Sequence, residues 1–268
     1  MNRLTDTLTV AALPLDIVWA DKAANLSAVE AAMERLPHGT DVLVLPELFT
    51  TAYTDDPDLM RELAERNTGV TIERIRTLAA RHGVAIAGSF AAWTPPHIYN
   101  RAFFIEPSGE ETFYDKRHLF SLSSEAGIFT RGTSPIPVVR FRGWNIAMIV
   151  CYDLRFPVWS RCRHHGYDML LVPSNWPQAR QYAFEHLLIA RAIENQCAVV
   201  GADRGGTDQY GCYDGLTQIY DCYGKPVGNG RDGFVVATLS RQAQDEYRKR
   251  FPAGNDADDF TILESNHF

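Results

Sequence analysis

The chain has 268 residues, of which 46% are hydrophobic, and a formal net charge of −7. This length and apolar content are enough for one domain with a large core. The acidic balance, with Lys and Arg spread along the chain, argues against nucleic acid or an anionic membrane as a partner. No apolar run approaches the ~18 residues of a membrane helix, and the first residues lack the apolar segment of a signal peptide. We therefore expect a single cytoplasmic domain over residues 1–268 that acts on a small molecule.

The first third of the chain alternates between apolar runs and amphipathic stretches. Strands are predicted at 8–15, 41–47 and 84–93. Helices are predicted over 25–36 and 71–83, where apolar residues recur every three to four positions. Gly83 is expected to end the second of these helices.

Two hairpins are predicted next, because short β-rich runs flank turn residues. The first covers 99–120 and turns at Pro107-Ser108-Gly109, and the second covers 138–150 and turns at Arg142-Gly143. A helix and a strand are then predicted within 158–176, a helix over 184–196 and a strand over 197–204. The glycine-rich segment 201–215 matches no phosphate-binding pattern and is expected to be a loop that lines a cleft.

The last part of the chain contains the runs 216–228 and 233–240 and a polar helix over 241–251. Mixed strands flanked by helices predict an α/β fold in which two sheets are sandwiched between helices. The five cysteines are odd in number and widely spaced, with no CxxC pair, so we expect reduced thiols, no disulfide framework, no metal and no cofactor.

Three polar residues come directly at the ends of apolar strands. Glu47 ends "VLVLPE", Lys116 ends "TFYDK" and Cys151 ends "IAMIVC". A charged group at the end of a buried strand is costly to desolvate unless it has partners, so these side chains are natural partners for one another. Taken singly, each has an ordinary structural explanation, such as a helix-start carboxylate, a surface lysine or a small buried thiol.

The short sequence motifs around these residues are more informative than each residue alone. "LPELF" at 45–49, "YDKRHLF" at 114–120 and "CYDLRFP" at 151–157 resemble, in this order, the three signature segments of the nitrilase superfamily of carbon–nitrogen hydrolases, and most closely those of its omega-amidase branch. The resemblance implies a four-layer αββα sandwich. It also implies that Glu47 is the general base, that Lys116 stabilises the tetrahedral intermediate and that Cys151 is the nucleophile. Glu125 occupies the place of a second family glutamate, although an exposed loop glutamate is more often only solvated.

These roles fit the chemistry of amide hydrolysis, which needs a strong nucleophile, a stabilised oxyanion and a proton for the leaving amine. We expect Lys116 and Glu47 to increase the thiolate share of Cys151 near neutral pH. The backbone N–H of Tyr152 is expected to donate to the oxyanion beside Lys116. Glu47 then returns its proton to the amine and activates the water that hydrolyses the thioester.

A Cys–His pair is an alternative arrangement. It would need His118, His164, His165 or His186 to orient on the thiol, yet no papain-type signature surrounds Cys151. His118 is instead interpreted as support for the strand that carries Lys116.

Substrate recognition is predicted from the loop that follows the nucleophile. Arg155 would hold a substrate carboxylate bidentately or, equally, form a structural salt bridge with Asp153 or another acid. Phe49, Phe120 and Trp176 are expected to form the pocket walls. The omega-amidase resemblance implies short dicarboxylate monoamides such as 2-oxoglutaramate and 2-oxosuccinamate. The alternatives are nitriles, N-carbamoyl amines, other aliphatic amides, or a non-catalytic protein that binds a metabolite or a partner.

The family resemblance also implies a homodimer. Its interface would be built partly from a helix after Cys151 and from the C-terminal segment, with Phe156, Val158 and Trp159 as apolar contacts. Packing within one chain explains these three residues nearly as well.

Overall fold

The computed structural model describes residues 5–263, in which strands and helices follow one another as most of the sequence patterns predict. The strands are β1 Thr7–Ala12, β2 Val42–Val44, β3 Ala85–Thr94, β4 His97–Ile105, β5 Glu111–Asp115, β6 Val138–Phe141, β7 Trp144–Met148, β8 Met169–Ser174, β9 Ala198–Asp203, β10 Gly205–Asp208, β11 Gly211–Asp214, β12 Gln218–Tyr220, β13 Asn229–Arg231 and β14 Phe234–Ser240. The helices are α1 Lys22–Met33, α2 Pro57–Leu63, α3 Val70–His82, α4 Glu125–Ile128, α5 Gln181–Asn195 and α6 Arg241–Arg250.

Two large sheets organise these strands. The first has seven strands in the order β13-β14-β1-β2-β3-β4-β5, and the second has five in the order β12-β9-β8-β7-β6. The centre of each sheet is parallel, β1-β2-β3 in the first and β7-β8-β9 in the second, and the outer strands are antiparallel. Polar residues that follow the parallel strands therefore gather at one edge of each sheet.

The alternation of side chains along the strands produces the layers. In β2, Val42 and Val44 pack against the second sheet, whereas Leu43 points to the other side and joins the core formed with α1 and α3. Such alternation follows from the two-residue period of a strand. On the far side of the second sheet, Leu170 packs in a core that includes Phe184 of α5. The layer order of helices, sheet, sheet and helices confirms the predicted four-layer αββα sandwich.

Helix α5 lies close against the second sheet because a glycine leaves room for it. A Cβ placed on Gly201 of β9 would meet Leu188 Cδ1 at 2.5 Å, a separation that real Cβ atoms do not show.

The predicted turn residues also have the expected conformations: Gly83 ends α3 with φ of 69°, and Arg142 and Gly143 turn the second hairpin with φ of 48° and 90°. No helix within residues 5–263 has the length and apolarity needed to cross a membrane.

Two predictions about local structure are wrong. The helix expected after residue 158 is a series of turns with one short 3-10 segment, Arg163–His165, in which His164 and His165 have positive φ. Hydrogen bonds between backbone and side chain hold this segment, among them Cys162 N–H to Asn195 Oδ1, and they replace a helical ladder. The segment 201–215 does border a cavity, but it forms the hairpin β10-β11 rather than a loop.

Candidate active site

A cavity of about 280 Å³ opens where the ends of the two sheets meet. Glu47 follows β2 and Lys116 follows β5 in the first sheet, whereas Cys151 follows β7 in the second, and all three line this cavity. The volume is below the roughly 300–1,000 Å³ of sites for drug-sized ligands, which favours a small metabolite. Among residues 5–263, no group of three or more His, Cys, Asp or Glu is arranged to hold a metal ion.

Lys116 lies between two carboxylates. Its Nζ donates to Glu47 Oε1 at 2.8 Å and to Glu125 Oε1 at 2.6 Å, and all three side chains are buried. Burial alone lowers the pKa of Lys116, but Glu125 and Glu47 outweigh it and hold this pKa well above its usual range. The lysine therefore carries a positive charge. Glu125 also accepts the Phe120 N–H at 2.6 Å, so it is not the solvated loop residue that its sequence context allowed.

Cys151 begins a 3-10 turn, Cys151–Arg155, with φ of 46°. A non-glycine residue in this left-handed region is uncommon and is found most often where function requires the geometry. The turn places the thiol in the cavity that Glu47, Lys116 and Asn175 also line, close enough to Glu47 and Lys116 for their charges to affect its pKa. Cys151 thus combines a positive φ with a place in the wall of the cavity that Glu47 also lines.

The protonation state of this thiol differs from the expectation. Burial, followed by the neighbouring Glu47 charge, raises the pKa of Cys151 well above its usual value, and Lys116 opposes this shift only in part. Burial also raises the pKa of Glu47. These directions favour a neutral thiol in the free site, which is opposite to the expected enrichment in thiolate.

Two residues that sequence reasoning missed hold Glu47 in place. Asn100 of β4 donates to Glu47 Oε1 at 2.7 Å, and the hydroxyl of Ser89 on β3 donates to Asn100 Oδ1 at 2.9 Å. The Leu48 N–H in turn donates to that hydroxyl at 2.9 Å. The position of Asn100 within the otherwise apolar strand "YNRAFFI" was the one sequence signal for this contact, since a buried amide needs a hydrogen-bond partner.

Asp153 joins the segments that carry Lys116 and Cys151. This buried carboxylate accepts the Tyr114 hydroxyl at 2.9 Å, the His118 N–H at 2.9 Å and, at Oδ1, a contact with His118 Nδ1 at 2.7 Å. His118 also stacks on Phe156. The imidazole therefore supports the lysine segment and does not pair with the thiol.

The remaining alternatives for these residues are also decided by position. His164, His165 and His186 do not line the cavity, which removes the Cys–His arrangement. Asp153 is occupied by Tyr114 and His118 and forms no salt bridge with Arg155 within the described chain.

The walls of the cavity are aromatic, but they differ from the expectation at one position. Phe120 and Trp176 line the cavity, whereas Phe49 is buried in the core between the first sheet and its helices. Leu48 has φ of 48°, which reverses the chain direction and turns Phe49 away. Arg155 lies over the Trp176 ring at 4.7 Å. Tyr210 and Tyr213 line the cavity from the segment 201–215, as expected. The lining residues that the sequence analysis did not assign to the pocket are Leu48, Tyr53, Leu122, Ser123, Asn175, Pro177 and Arg180.

The side chain of Asn175 is one of these lining residues. Neither its Oδ1 nor its Nδ2 has a hydrogen-bond partner in the described chain, although both atoms are shielded. Buried amides normally have partners, so this unpaired carboxamide is a candidate group for binding a ligand.

Comparison with known proteins agrees with this geometry. Residues 9–249 match the carbon–nitrogen hydrolase family, and the chain belongs to that family. Among its relatives, omega-amidase YafV of Yersinia enterocolitica is 40% identical over 261 residues, which cover 96% of this chain and 99% of that protein. The 2-oxoglutaramate amidase of Bacillus subtilis is 33% identical over 254 residues, which cover 92% of this chain and 96% of that protein.

A solved structure gives the same result for the fold. XC1258 from Xanthomonas campestris, a CN-hydrolase superfamily protein with an arsenic adduct in its active site, superimposes with a TM-score of 0.91 at 36% identity. The match covers 97% of this chain and 100% of that chain. The family and the fold that the signature segments predict are thus confirmed.

Proposed function

We propose that this protein is an omega-amidase that hydrolyses the terminal amide of short dicarboxylate monoamides, such as 2-oxoglutaramate and 2-oxosuccinamate, and releases ammonia. The observation that carries the proposal is that Cys151, Glu47 and Lys116 line one small cavity, in which the Lys116 ammonium donates to Glu47 at 2.8 Å. Relatives named omega-amidase and 2-oxoglutaramate amidase, aligned over nearly the full chain, support this substrate class.

In the first half of the reaction, Glu47 takes the thiol proton as the sulfur of Cys151 bonds to the amide carbon. The carbonyl π electrons move to oxygen, and the oxyanion accepts hydrogen bonds from the Lys116 ammonium and the Tyr152 N–H. Tyr152 lies in the first turn of the 3-10 segment, where backbone N–H groups have no partner within the helix. Glu47 then passes its proton to the nitrogen, the C–N bond breaks, and ammonia leaves with a thioester remaining on Cys151.

In the second half, water enters the place that ammonia has left. Glu47 takes a proton from this water as its oxygen bonds to the thioester carbon. The second oxyanion uses the same donors, the C–S bond breaks, and the sulfur recovers a proton from Glu47. A carboxyl that takes and gives protons in turn works best with a pKa shifted toward neutrality, and burial shifts Glu47 in that direction.

The rest of the cavity would hold the substrate in one orientation. Arg155 has no acidic partner in the described chain, and we expect its guanidinium, which lies over Trp176, to bind the distal carboxylate. We expect the unpaired carboxamide of Asn175 to bind the reacting amide. Glu125 holds Lys116 in position through its bond at 2.6 Å.

Ammonia release from 2-oxoglutaramate tests the proposal. The wild-type protein is expected to release ammonia, and Cys151→Ala is expected to release none above background. Rapid acid quenching followed by mass spectrometry should show an acyl adduct on Cys151 whose mass depends on the substrate. Equal rates for the two proteins would contradict an enzymatic function and favour a protein that only binds a metabolite.

We also infer a homodimer, as the family resemblance implies. Phe156 stacks on His118 and Trp159 donates to the Tyr114 hydroxyl, so both have partners within the chain. Val158 is 55% exposed. Sedimentation at micromolar concentration tests this: a single monomeric species would contradict the inference.

A further inference from the structure

The charged residues that line the cavity fall into two groups. Glu47, Lys116 and Glu125 are buried at its base, and Arg155 and Arg180 are exposed at its mouth. The bottom of the cavity holds two carboxylates and one ammonium, so it is an unfavourable place for a substrate anion. A substrate with one amide and one acid end would therefore bind with its acid end toward the two arginines.

The guanidinium of Arg180 lies 4.6 Å from the centre of the Phe120 ring, much as Arg155 lies over Trp176 at 4.7 Å. An aromatic face fixes the plane of a guanidinium and leaves its N–H donors free at the edges. Within residues 5–263, neither guanidinium has a carboxylate at ion-pair distance. The two arginines are thus held in place without being neutralised.

The stability of the neighbouring helix does not explain Arg180. This residue is the N-cap of α5, its side chain makes no capping bond, and no acidic residue lies in the first turn. A cation at this end of a helix is opposed by the helix dipole. Its position at the cavity mouth points to a ligand instead.

We propose that Arg180 is a specificity-determining residue that binds, together with Arg155, the 2-oxo acid end of the substrate. Arg155 takes the carboxylate, and Arg180 donates to the adjacent oxo oxygen and to one carboxylate oxygen. An amino acid amide would place an ammonium where the oxo group binds, directly against Arg180. The residue therefore selects 2-oxo acids over α-amino acids of the same length. This inference rests on the proposed function.

Binding without turnover tests Arg180 separately from the reaction. Calorimetry would measure the affinity of Cys151→Ala, with and without Arg180→Ala, for 2-oxoglutarate and for glutamate. Loss of Arg180 is expected to weaken 2-oxoglutarate binding about tenfold or more, the value of one charge-assisted hydrogen bond, and to leave glutamate binding unchanged or stronger. Arg180→Lys keeps the positive charge but not the paired N–H donors of the guanidinium, so its affinity for 2-oxoglutarate should be intermediate. Arg140→Ala, an exposed arginine away from the cavity, is the matched control.

Turnover provides the second comparison. Arg180→Ala in the active enzyme should raise KM for 2-oxoglutaramate about tenfold with kcat retained, and should leave kcat/KM for the neutral amide butyramide unchanged. An equal loss for both amides, an unchanged KM, or no binding of 2-oxoglutarate to Cys151→Ala would overturn the role of Arg180. A wild-type enzyme that binds 2-oxoglutarate through Arg180 but releases no ammonia would instead overturn the proposed function.

Discussion

Lys116 donates a hydrogen bond to Glu125 at 2.6 Å although neither side chain is open to water. A charge-assisted bond of this kind is worth about 1.5–3 kcal/mol, and Glu125 also holds the Phe120 N–H. Glu125 therefore orients the ammonium that is proposed to bind the oxyanion.

Replacing Glu125 tests this orientation. Glu125→Gln should lower kcat by roughly tenfold to a hundredfold, with KM little changed, because the amide holds the ammonium less firmly. Steady-state kinetics with 2-oxoglutaramate would measure it, and Glu110→Gln, at an exposed acid outside the site, is the control. An unchanged kcat would mean that Glu125 only supports the fold.

Lys116→Gln should lower kcat more than Glu125→Gln does, and it should also make the stability of the protein depend on pH. The loss of a charged oxyanion donor is expected to lower kcat by about 10²–10³. The two buried carboxylates would then face each other without a cation, which destabilises the fold at pH 7.5 by about 3–5 kcal/mol. Because burial raises the pKa of Glu47, acid neutralises this carboxylate first, so the deficit in the free energy of unfolding should shrink at pH 5.5. A deficit that is constant between these two pH values would contradict this electrostatic explanation.

The pH dependence of kcat/KM should have an acid limb and no alkaline limb up to about pH 9. Glu47 must be ionised to accept the thiol proton, and burial raises its pKa above the ordinary 4.5, so activity should fall as the pH drops through that raised value. The pKa of Lys116 is held well above its usual range, so its charge persists at alkaline pH. Butyramide, which does not ionise, is the appropriate substrate. A loss of rate between pH 8 and 9 would argue against the charged lysine.

Asp203 is a buried acid next to the site. Its Oδ1 accepts the Trp176 N–H at 2.7 Å, and burial raises its pKa well above the usual value. This shift favours the neutral acid in the folded protein, and the side-chain oxygen of an asparagine can replace it as an acceptor. We expect Asp203→Asn to keep kcat/KM within about threefold, whereas Asp203→Ala leaves the buried N–H unpaired at a cost of about 1–3 kcal/mol.

Stability provides a separate test of that neutral state. In the unfolded chain Asp203 ionises near pH 4, but in the folded chain it stays protonated at higher pH, so wild-type stability falls as the pH rises above about 4. The carboxamide in the Asp203→Asn variant cannot ionise, so the stability of this variant relative to wild type should grow between pH 4.5 and 7.5 in urea unfolding. The exposed Asp258→Asn change is the control. A difference that does not vary with pH would show that Asp203 is ionised in the folded state.

Local sequence patterns predicted the layers and the positions of Glu47, Lys116 and Cys151 at strand ends, whereas the roles of these three residues came from the family resemblance. The two-residue period of β2 and the polar residue after it can be read from a short stretch of chain. By contrast, Asn100 contacts Glu47 across 53 positions, and Asp203 contacts Trp176 across 27, so no local pattern contains either pair. Phe49 was wrongly predicted to form a pocket wall. Its position depends on the left-handed backbone conformation of Leu48, which could not be predicted because no glycine occupies that position.

The site is divided between the sheets: Glu47 and Lys116 follow strands of the first, and Cys151 follows a strand of the second. A chain in which the two sheets have separated would carry only an ordinary cysteine, without Glu47 and Lys116 beside it. Because the two sheets share one core, hydrolysis should be lost no later than the core itself when the protein is heated. During biosynthesis, the same division delays the appearance of activity until both halves of the chain have docked.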